Sequence, residues 1–314
     1  VVMDPISGIA TYKDSTFAML LEAQRRGHEI WYMEPGDLVV RDGEGLGRMR
    51  PLAVRYNRED WFTLGEAEVR ELARLDFLLM RKDPPFDMTY IMVTYLLDAA
   101  RRAGALVVNP PRALRDFNEK MATTLFPQCC VPMLVARDIA RLRDFIIEAG
   151  HAVVKPVDSM GGESIFSVMA DDKNLNVILE TVTGHGKRYV MAQHFIPEIS
   201  AGDKRILMIN GTPVPYSLAR IPCAGEFRGN LAAGGRGVGQ PLSERDVWIA
   251  NEVGTWLREN NVLFAGLDVI GDYLTEINIT SPTCIRELDA QFGLNISSDL
   301  FDEIEQRCTA KSLS

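Results

Sequence analysis

Apolar and polar positions in the first third of the chain alternate between helical and strand spacing. After Asp14-Ser15, which can cap a helix, Phe17, Leu20 and Leu21 recur at helical spacing, and Gly27 is well placed to end the run. His28–Tyr32 reads as a short strand and Asp76–Met80 as a nearly continuous apolar one. Tyr90–Arg102 reads as a helix stopped by Gly104, and Ala105–Val108 as a further strand ended by Pro110-Pro111. This β-α-β rhythm predicts an open, mostly parallel sheet.

The rhythm changes after about Phe117. Helix Ala140–Glu148 leads into strand His151–Lys155, a glycine-containing turn, strand Ile165–Met169, a helix over Leu175–Thr183 and strand Tyr189–Phe195. From Lys204 hairpins dominate, and Asn210-Gly211 between two strand patterns is the strongest short hairpin signal in the chain. A helix near Val247–Glu259 and a hairpin over Leu263–Ile279 complete the pattern. The fold class is α/β, with α+β lobes: an amino-terminal domain over residues 1–117, a central lobe over 118–197 and a carboxy-terminal lobe over 198–314.

Composition narrows the function. With 314 residues, 46% hydrophobic and 25% charged, the chain is an ordinary globular protein. A net charge of −9 argues against nucleic acid as a partner, and no basic block or basic amphipathic helix points to a membrane surface. No apolar run approaches the roughly 18–20 residues of a transmembrane helix. The start, Val1-Val2-Met3-Asp4-Pro5, lacks the features of a signal peptide and reads as the end of a first strand, with residues preceding it. Five cysteines without C-x-x-C spacing fit a reducing cytoplasm.

Three segments carry candidate chemistry. Asp158–Ser164 contains Gly161-Gly162 between two strands, where backbone N–H groups can approach a phosphate, and Lys155 ends the preceding strand. Taken alone, this segment reads sooner as an ordinary hairpin with a solvated lysine, because it is no Walker A motif. In the hairpin Phe264–Asn278, Asp268 interrupts an apolar strand, and Glu276 and Asn278 share one face of the returning strand. A three-residue connection, Gly271–Tyr273, places Asp268 opposite Glu276, whereas a two-residue loop places them on opposite faces. The first register collects three oxygen ligands suited to Mg²⁺, with Val269, Leu274 and Ile277 as the buried face. The alternative is an edge hairpin with its polar residues in water. On the metal reading, Asp268→Asn and Glu276→Gln are expected to abolish activity and leave the fold intact. The third segment, Gly225–Gly239, has six glycines in fifteen residues, and Arg220, Arg228 and Arg236 recur at eight-residue intervals. It reads as a lid over a charged transition state, or else as a surface loop. The four histidines show no ligand spacing and read as structural.

In order and type these segments resemble the ATP-grasp enzymes, whose two lobes hold ATP between their sheets behind a Rossmann-like parallel-sheet domain. The resemblance implies Lys120 and Lys155 as nucleotide-binding lysines, Gly161 and Gly162 as the phosphate loop, Gln193, His194, Phe195 and Ile196 as the adenine hinge, and Asp203 at the ribose. It implies Asp268, Glu276 and Asn278 as ligands of Mg²⁺, with Mn²⁺ as a substitute. Met80-Arg81-Lys82-Asp83-Pro84-Pro85, Arg228–Gly237 and Thr275–Glu287 resemble bacterial glutathione synthetases specifically, a likeness running from Val1 to about Phe292. That family implies ligation of γ-glutamylcysteine to glycine through an acyl phosphate, with ADP and phosphate released. It further implies Arg205, Arg220, Arg228 and Arg236 as catalytic arginines, Arg81, Asn278, Ser281, Thr283 and Glu287 at the substrates, and a homotetramer. Ser159 departs from the glycine common there. The alternatives are another ATP-grasp ligase, joining two D-alanines or adding glutamate to a peptide, and a non-catalytic ATP-binding protein.

Overall fold

A computed structural model describes residues 1–158, 164–223 and 236–312. The amino-terminal region contains β1 (Val2–Met3), α1 (Ser15–Arg25), β2 (Ile30–Tyr32), β3 (Leu38–Arg41), β4 (Glu44–Val54), β5 (Phe62–Leu64), β6 (Glu68–Glu71), β7 (Phe77–Arg81), α2 (Met88–Arg102), β8 (Leu106–Val108) and α3 (Pro111–Asp116). Strands β1, β7 and β8 form the expected parallel sheet. The cap of α1 is where the spacing put it, with Asp14 Oδ1 accepting from Phe17 N at 2.6 Å. Helix α2 starts two residues earlier than its apolar spacing suggests, because Asp87 caps it by accepting from Tyr90 N at 2.8 Å.

The parallel sheet is not the whole of this region. β2, β3, β5 and β6 all pair antiparallel with the long β4. Gly45, Gly47 and Pro51 interrupt the alternation of β4, which hides a strand from a reading based on period.

The central lobe comprises β9 (Met133–Ala136), α4 (Ile139–Ala149), β10 (His151–Pro156), β11 (Phe166–Met169), α5 (Leu175–Val182) and β12 (Val190–His194). Its antiparallel sheet runs β11-β10-β12-β9, and its apolar side closes on α4 and α5 around Leu142, Ile146, Val154, Leu179 and Val190.

The carboxy-terminal lobe comprises β13 (Asp203–Ile209), β14 (Thr212–Ile221), β15 (Arg236–Pro241), α6 (Glu244–Glu259), β16 (Phe264–Ile270), β17 (Tyr273–Asn278), α7 (Ile285–Phe292) and α8 (Ile296–Ser312). The sheet order is β15-β14-β13-β16-β17. Asn210 and Gly211 join β13 to β14 with φ of 48° and 70°, the paired left-handed conformations of a two-residue hairpin turn. Helices α7 and α8 lie beyond the last element expected from the sequence. They bury Ile285, Leu288, Leu300, Phe301 and Ile304 in a core that also holds Phe17 and Leu20 of α1. A second core likewise joins Leu78, Met80 and Leu97 to Ile206, Leu267 and Ile277. Among the described residues, no helix is long and apolar enough to cross a membrane.

Candidate functional site

Asp268 lies directly opposite Glu276, the pairing that brings both carboxylates to one face, but not by the expected route. The loop between β16 and β17 is two residues, Gly271-Asp272, with Ile270 facing Tyr273. The three-residue connection is therefore incorrect. The register shifts between Asp268 and Val269, so that Thr275 is an extra residue on β17, and this bulge restores the pairing that the shorter loop alone would have lost. Val269, Leu274 and Ile277 are buried as expected, and Asn278 Nδ2 donates to Asp268 Oδ2 at 3.3 Å.

Three adjacent strands set the charges around Asp268. In the β13–β16 ladder Arg205 faces Asp268, and in the β13–β14 ladder Asp203 faces Arg220. Arg205 grips Asp268 with two bonds, Nε to Oδ1 at 2.5 Å and Nη2 to Oδ2 at 2.9 Å. Arg220 Nη2 lies 2.9 Å from Asp268 Oδ2 and donates to Asp203 Oδ2 at 2.5 Å. Burial alone would push the Asp268 pKa up, but the two guanidinium groups outweigh it and hold the carboxyl well below the ordinary aspartate range. At Asp203 burial prevails and the shift is upward. Gly266 makes this packing possible, because a Cβ there would stand 2.8 Å from Arg205 Cδ.

Two lysines approach Glu276 from the other side. Lys155, at the end of β10, is 5% exposed; its Nζ donates to Thr275 O at 3.4 Å and lies 4.0 Å from Glu276 Oε1. Lys120 Nζ pairs with Glu119 and lies 3.5 Å from Glu276 Oε1. Burial pulls the Lys155 pKa down. It acts on Lys120 in the same sense, but Glu276 and Glu119 outweigh it there and the shift is upward. At the hinge, the N–H groups of His194 and Phe195 are already bonded to Pro132 O and His151 O, and the Phe195 ring stacks on His151 at 3.9 Å. The Gln193 side chain is buried, and its Nε2 has no hydrogen-bond partner among the described residues.

The amino-terminal domain closes the opposite end. Arg81 is buried at the end of β7, where its Nε donates to Thr16 Oγ1 at 3.1 Å and its Nη2 to Pro282 O at 2.9 Å. Ser281 Oγ donates to Arg81 O at 3.4 Å. Ser281, Thr283, Glu287, Asn278 and the Asp268 cluster line one cavity of about 360 Å³. Burial raises the Glu287 pKa, and its Oε2 has no hydrogen-bond partner among the described residues.

Ser159, Gly161, Gly162 and Arg228 lie outside the described residues, as does the lid stretch from Gly225 to Gly235. Its last four residues, Arg236–Gly239, belong to β15 and pair with β14, with Gly237 facing Arg220. Arg236 is exposed there.

Of the residues brought together here, Lys13, Asp14 and Glu119 escaped the sequence reading. All three line the site. Asp14 read as a helix cap, which it is, and helical spacing carries no signal that the same carboxylate borders a cavity. Glu119 adjoins Lys120 and could have been found as its buried counter-ion.

The donor set suits a hard divalent cation. Asp268 and Glu276 supply carboxylate oxygens and Asn278 an amide oxygen, all from one face of one hairpin at the cavity floor. Asp268 also serves two arginines, and each carboxylate oxygen has lone pairs for more than one partner. Among the described residues, no group of three or more His, Cys, Asp or Glu side chains is placed to hold a metal. A site here therefore depends on Asn278 or on oxygens from a ligand.

Residues 1–115 match the family "Prokaryotic glutathione synthetase, N-terminal domain", and residues 119–293 match "Prokaryotic glutathione synthetase, ATP-grasp domain". The chain is 59% identical over 305 residues to the glutathione synthetase of Xanthomonas axonopodis pv. citri, covering 97% of this chain and 96% of that relative. It is 58% identical over 311 residues to the glutathione synthetase of Pseudomonas aeruginosa, covering 99% and 98%. The solved structure of the D-cycloserine synthetase DcsG shares the fold at a TM-score of 0.66 and 12% identity, covering 96% of this chain and 98% of that one. Two α+β lobes behind an amino-terminal parallel sheet and matches over nearly the whole chain agree: the chain belongs to the prokaryotic glutathione synthetase family of ATP-grasp ligases.

Proposed function

We propose that the chain joins γ-glutamylcysteine to glycine, with ATP converted to ADP and phosphate. One observation carries the assignment of roles: the Asp268–Glu276 pair sits between Lys120 and Lys155 on one side and Arg205 and Arg220 on the other. Four cations around two carboxylates suit a polyanionic reaction, and positioning with electrostatics carries most phosphoryl transfers.

A cysteinyl carboxylate oxygen attacks the γ-phosphorus, and the bond to the β-phosphate oxygen breaks to give ADP and an acyl phosphate. The glycine amine then attacks the acyl carbon, phosphate leaves with its bonding pair, and the amine gives up a proton. Lys120 and Lys155, with Gly161 and Gly162, hold the phosphates. Gln193, His194, Phe195 and Ile196 hold adenine, and Asp203 the ribose. Arg205, Arg220, Arg228 and Arg236 stabilise the charge that develops on the transferring group. Arg81, Asn278, Ser281, Thr283 and Glu287 orient the peptide and the amine. Asp268, Glu276 and Asn278 would hold Mg²⁺ (or Mn²⁺), which when bound neutralises phosphate charge.

On this reading residues 1–117, 118–197 and 198–314 are the three working units, and copies assemble as a homotetramer. The buried thiols of Cys129, Cys130 and Cys284 suit a reducing cytoplasm. Nucleotide-product analysis tests the reaction. One ADP per glutathione is expected, dependent on γ-glutamylcysteine, glycine and Mg²⁺ together. AMP as product overturns the acyl-phosphate route, and ADP formed with D-alanine alone moves the chain to another ATP-grasp ligase.

A further inference from the structure

Asn109 follows β8 in the amino-terminal domain and is 4% exposed. Its carboxamide makes four hydrogen bonds, all to the hairpin that carries the carboxylates. Oδ1 accepts from Leu263 N at 2.9 Å and from Phe264 N at 3.1 Å. Nδ2 donates to Phe264 O at 2.6 Å and to Ile279 O at 2.7 Å. Both N–H groups and both carbonyl lone pairs are thereby used.

The partners mark the point where two strands separate. The β16–β17 ladder ends at the pair Gly266–Asn278. Continued in register, it would set Phe264 opposite Thr280. Asn109 takes the N–H and C=O of Phe264 instead, and the chain leaves the sheet at Ile279 towards Ser281 and Thr283 in the cavity. A side chain from another domain thus replaces the missing strand partner, satisfying backbone groups that would otherwise be buried and unpaired. The turn end of the hairpin is held separately, by Lys204 Nζ donating to Gly271 O at 2.8 Å.

We propose that Asn109 is a positioning residue: its carboxamide fixes where β17 parts from β16, and so sets Asn278 and the Ser281–Thr283 segment against Asp268. This rests on the reading of Asp268, Glu276 and Asn278 as metal ligands. Displacements of about 1 Å in such a constellation suffice for large losses. Gln193, on β12 of the central sheet, should not respond.

Asn109→Asp keeps the shape and the two accepted bonds but replaces the amide donor with a carboxylate oxygen, an acceptor facing the carbonyls of Phe264 and Ile279. The readout is binding of Mn²⁺ in the presence of saturating ADP, followed by the paramagnetic resonance of unbound Mn²⁺, beside ADP binding without divalent cation. Mn²⁺ affinity is expected to fall about 10–100-fold, the range seen when groups supporting a metal ligand are lost, with metal-independent ADP binding unchanged. Unchanged Mn²⁺ binding by the folded variant overturns the proposal. A parallel loss of metal-independent ADP binding does the same, because it shows a general structural role. Should Asn109→Asp not fold, Asn109→Ser leaves room for water to satisfy the backbone and gives the same readout. Glu276→Gln serves as the control: if it binds Mn²⁺ with ADP like the parent, the ligand assignment itself fails.

Discussion

The two sheets whose side chains meet at Glu276 are supported in different ways. The central sheet, β11-β10-β12-β9, closes on α4 and α5 around a core of its own. Among the described residues, the buried side chains of the carboxy-terminal sheet run into those of the amino-terminal domain through two shared clusters. The wall bearing Asp268, Glu276, Ser281 and Glu287 is therefore one body with Arg81 and Asn109. The sheet bearing Lys155 and Gln193 is a second body, and the ties between them include polar links such as Lys155 Nζ to Thr275 O at 3.4 Å and Asn118 Nδ2 to Val157 O at 2.8 Å. Such a division lets the side bearing Lys155 move without repacking the side that bears the carboxylates.

The largest effect should separate the two carboxylates. Asp268 is 2% exposed and paired with two buried arginines. Asp268→Asn should therefore stop ADP formation and also destabilise the larger body, by about 3–5 kcal/mol for a broken buried ion pair. The ion pairs thus replace the expectation of an intact fold with one of destabilisation for Asp268→Asn, and leave it unchanged for Glu276→Gln, since the lysines near Glu276 lie at 3.5 and 4.0 Å. Glu276→Gln should lower turnover about 100–1,000-fold, comparable to losing one preorganised electrostatic contact, with an unchanged melting curve. Near-normal turnover in both variants at saturating Mg²⁺ would remove the metal assignment.

Lys155→Met tests the contribution of the smaller body. Burial already disfavours this ammonium, so the substitution should leave stability equal or higher. ADP formation should fall about 100-fold through lost charge at the phosphates. A variant that unfolds would show that Lys155 ties the bodies together rather than serving the nucleotide.

Gln193→Ala, on the same sheet, should act more weakly. Its Nε2 is a buried donor without a partner among the described residues, so the expected loss is one hydrogen bond to the nucleotide. At about 1 kcal/mol this raises the KM for ATP about fivefold and leaves kcat unchanged. Equal falls in kcat and kcat/KM would place Gln193 in the chemical step instead.

Local pattern made much of this legible, and the failures have local causes. Helix α1 was readable because Asp14 caps it and its apolar spacing is regular. The hairpin at Asn210-Gly211 was readable because two left-handed residues leave few other conformations. The pairing of Asp268 with Glu276 came from a wrong loop length, since the bulge at Thr275 leaves no trace in alternation. Lys155 was found by its type and place, but its reach to Thr275 O belongs to tertiary structure. The same holds for Asn109, which sits before two prolines and reads as turn chemistry until its four partners are seen. Helices α7 and α8 follow the last strand signal, outside the pattern of alternating elements on which the expected fold rests.

The smallest effect tests whether the two bodies unfold separately. Asp289 lies on α7, part of the larger body through Ile285 and Leu288. Its Oδ1 accepts from Ile296 N at 3.0 Å, and burial pushes its pKa up from 3.8 to about 6. The folded state thus holds a proton that the unfolded chain gives up more readily. Below the unfolded value both states are protonated and burial carries no charge penalty. As pH rises from 3.8 to about 6 the penalty grows, and above that it is fully present, so this group's contribution to stability falls with rising pH. Asn can accept the same bond without the charge. Because the site is only partly buried, solvent screening reduces the benefit of Asp289→Asn to about 1 kcal/mol at pH 7.5, with almost none at pH 4. In calorimetry that gain should raise the melting transition of the larger body and leave the central lobe's transition in place. An equal gain at both pH values would show that burial of charge is not its source. A single transition that moves as a whole would show that the two bodies, despite their separate cores, unfold as one.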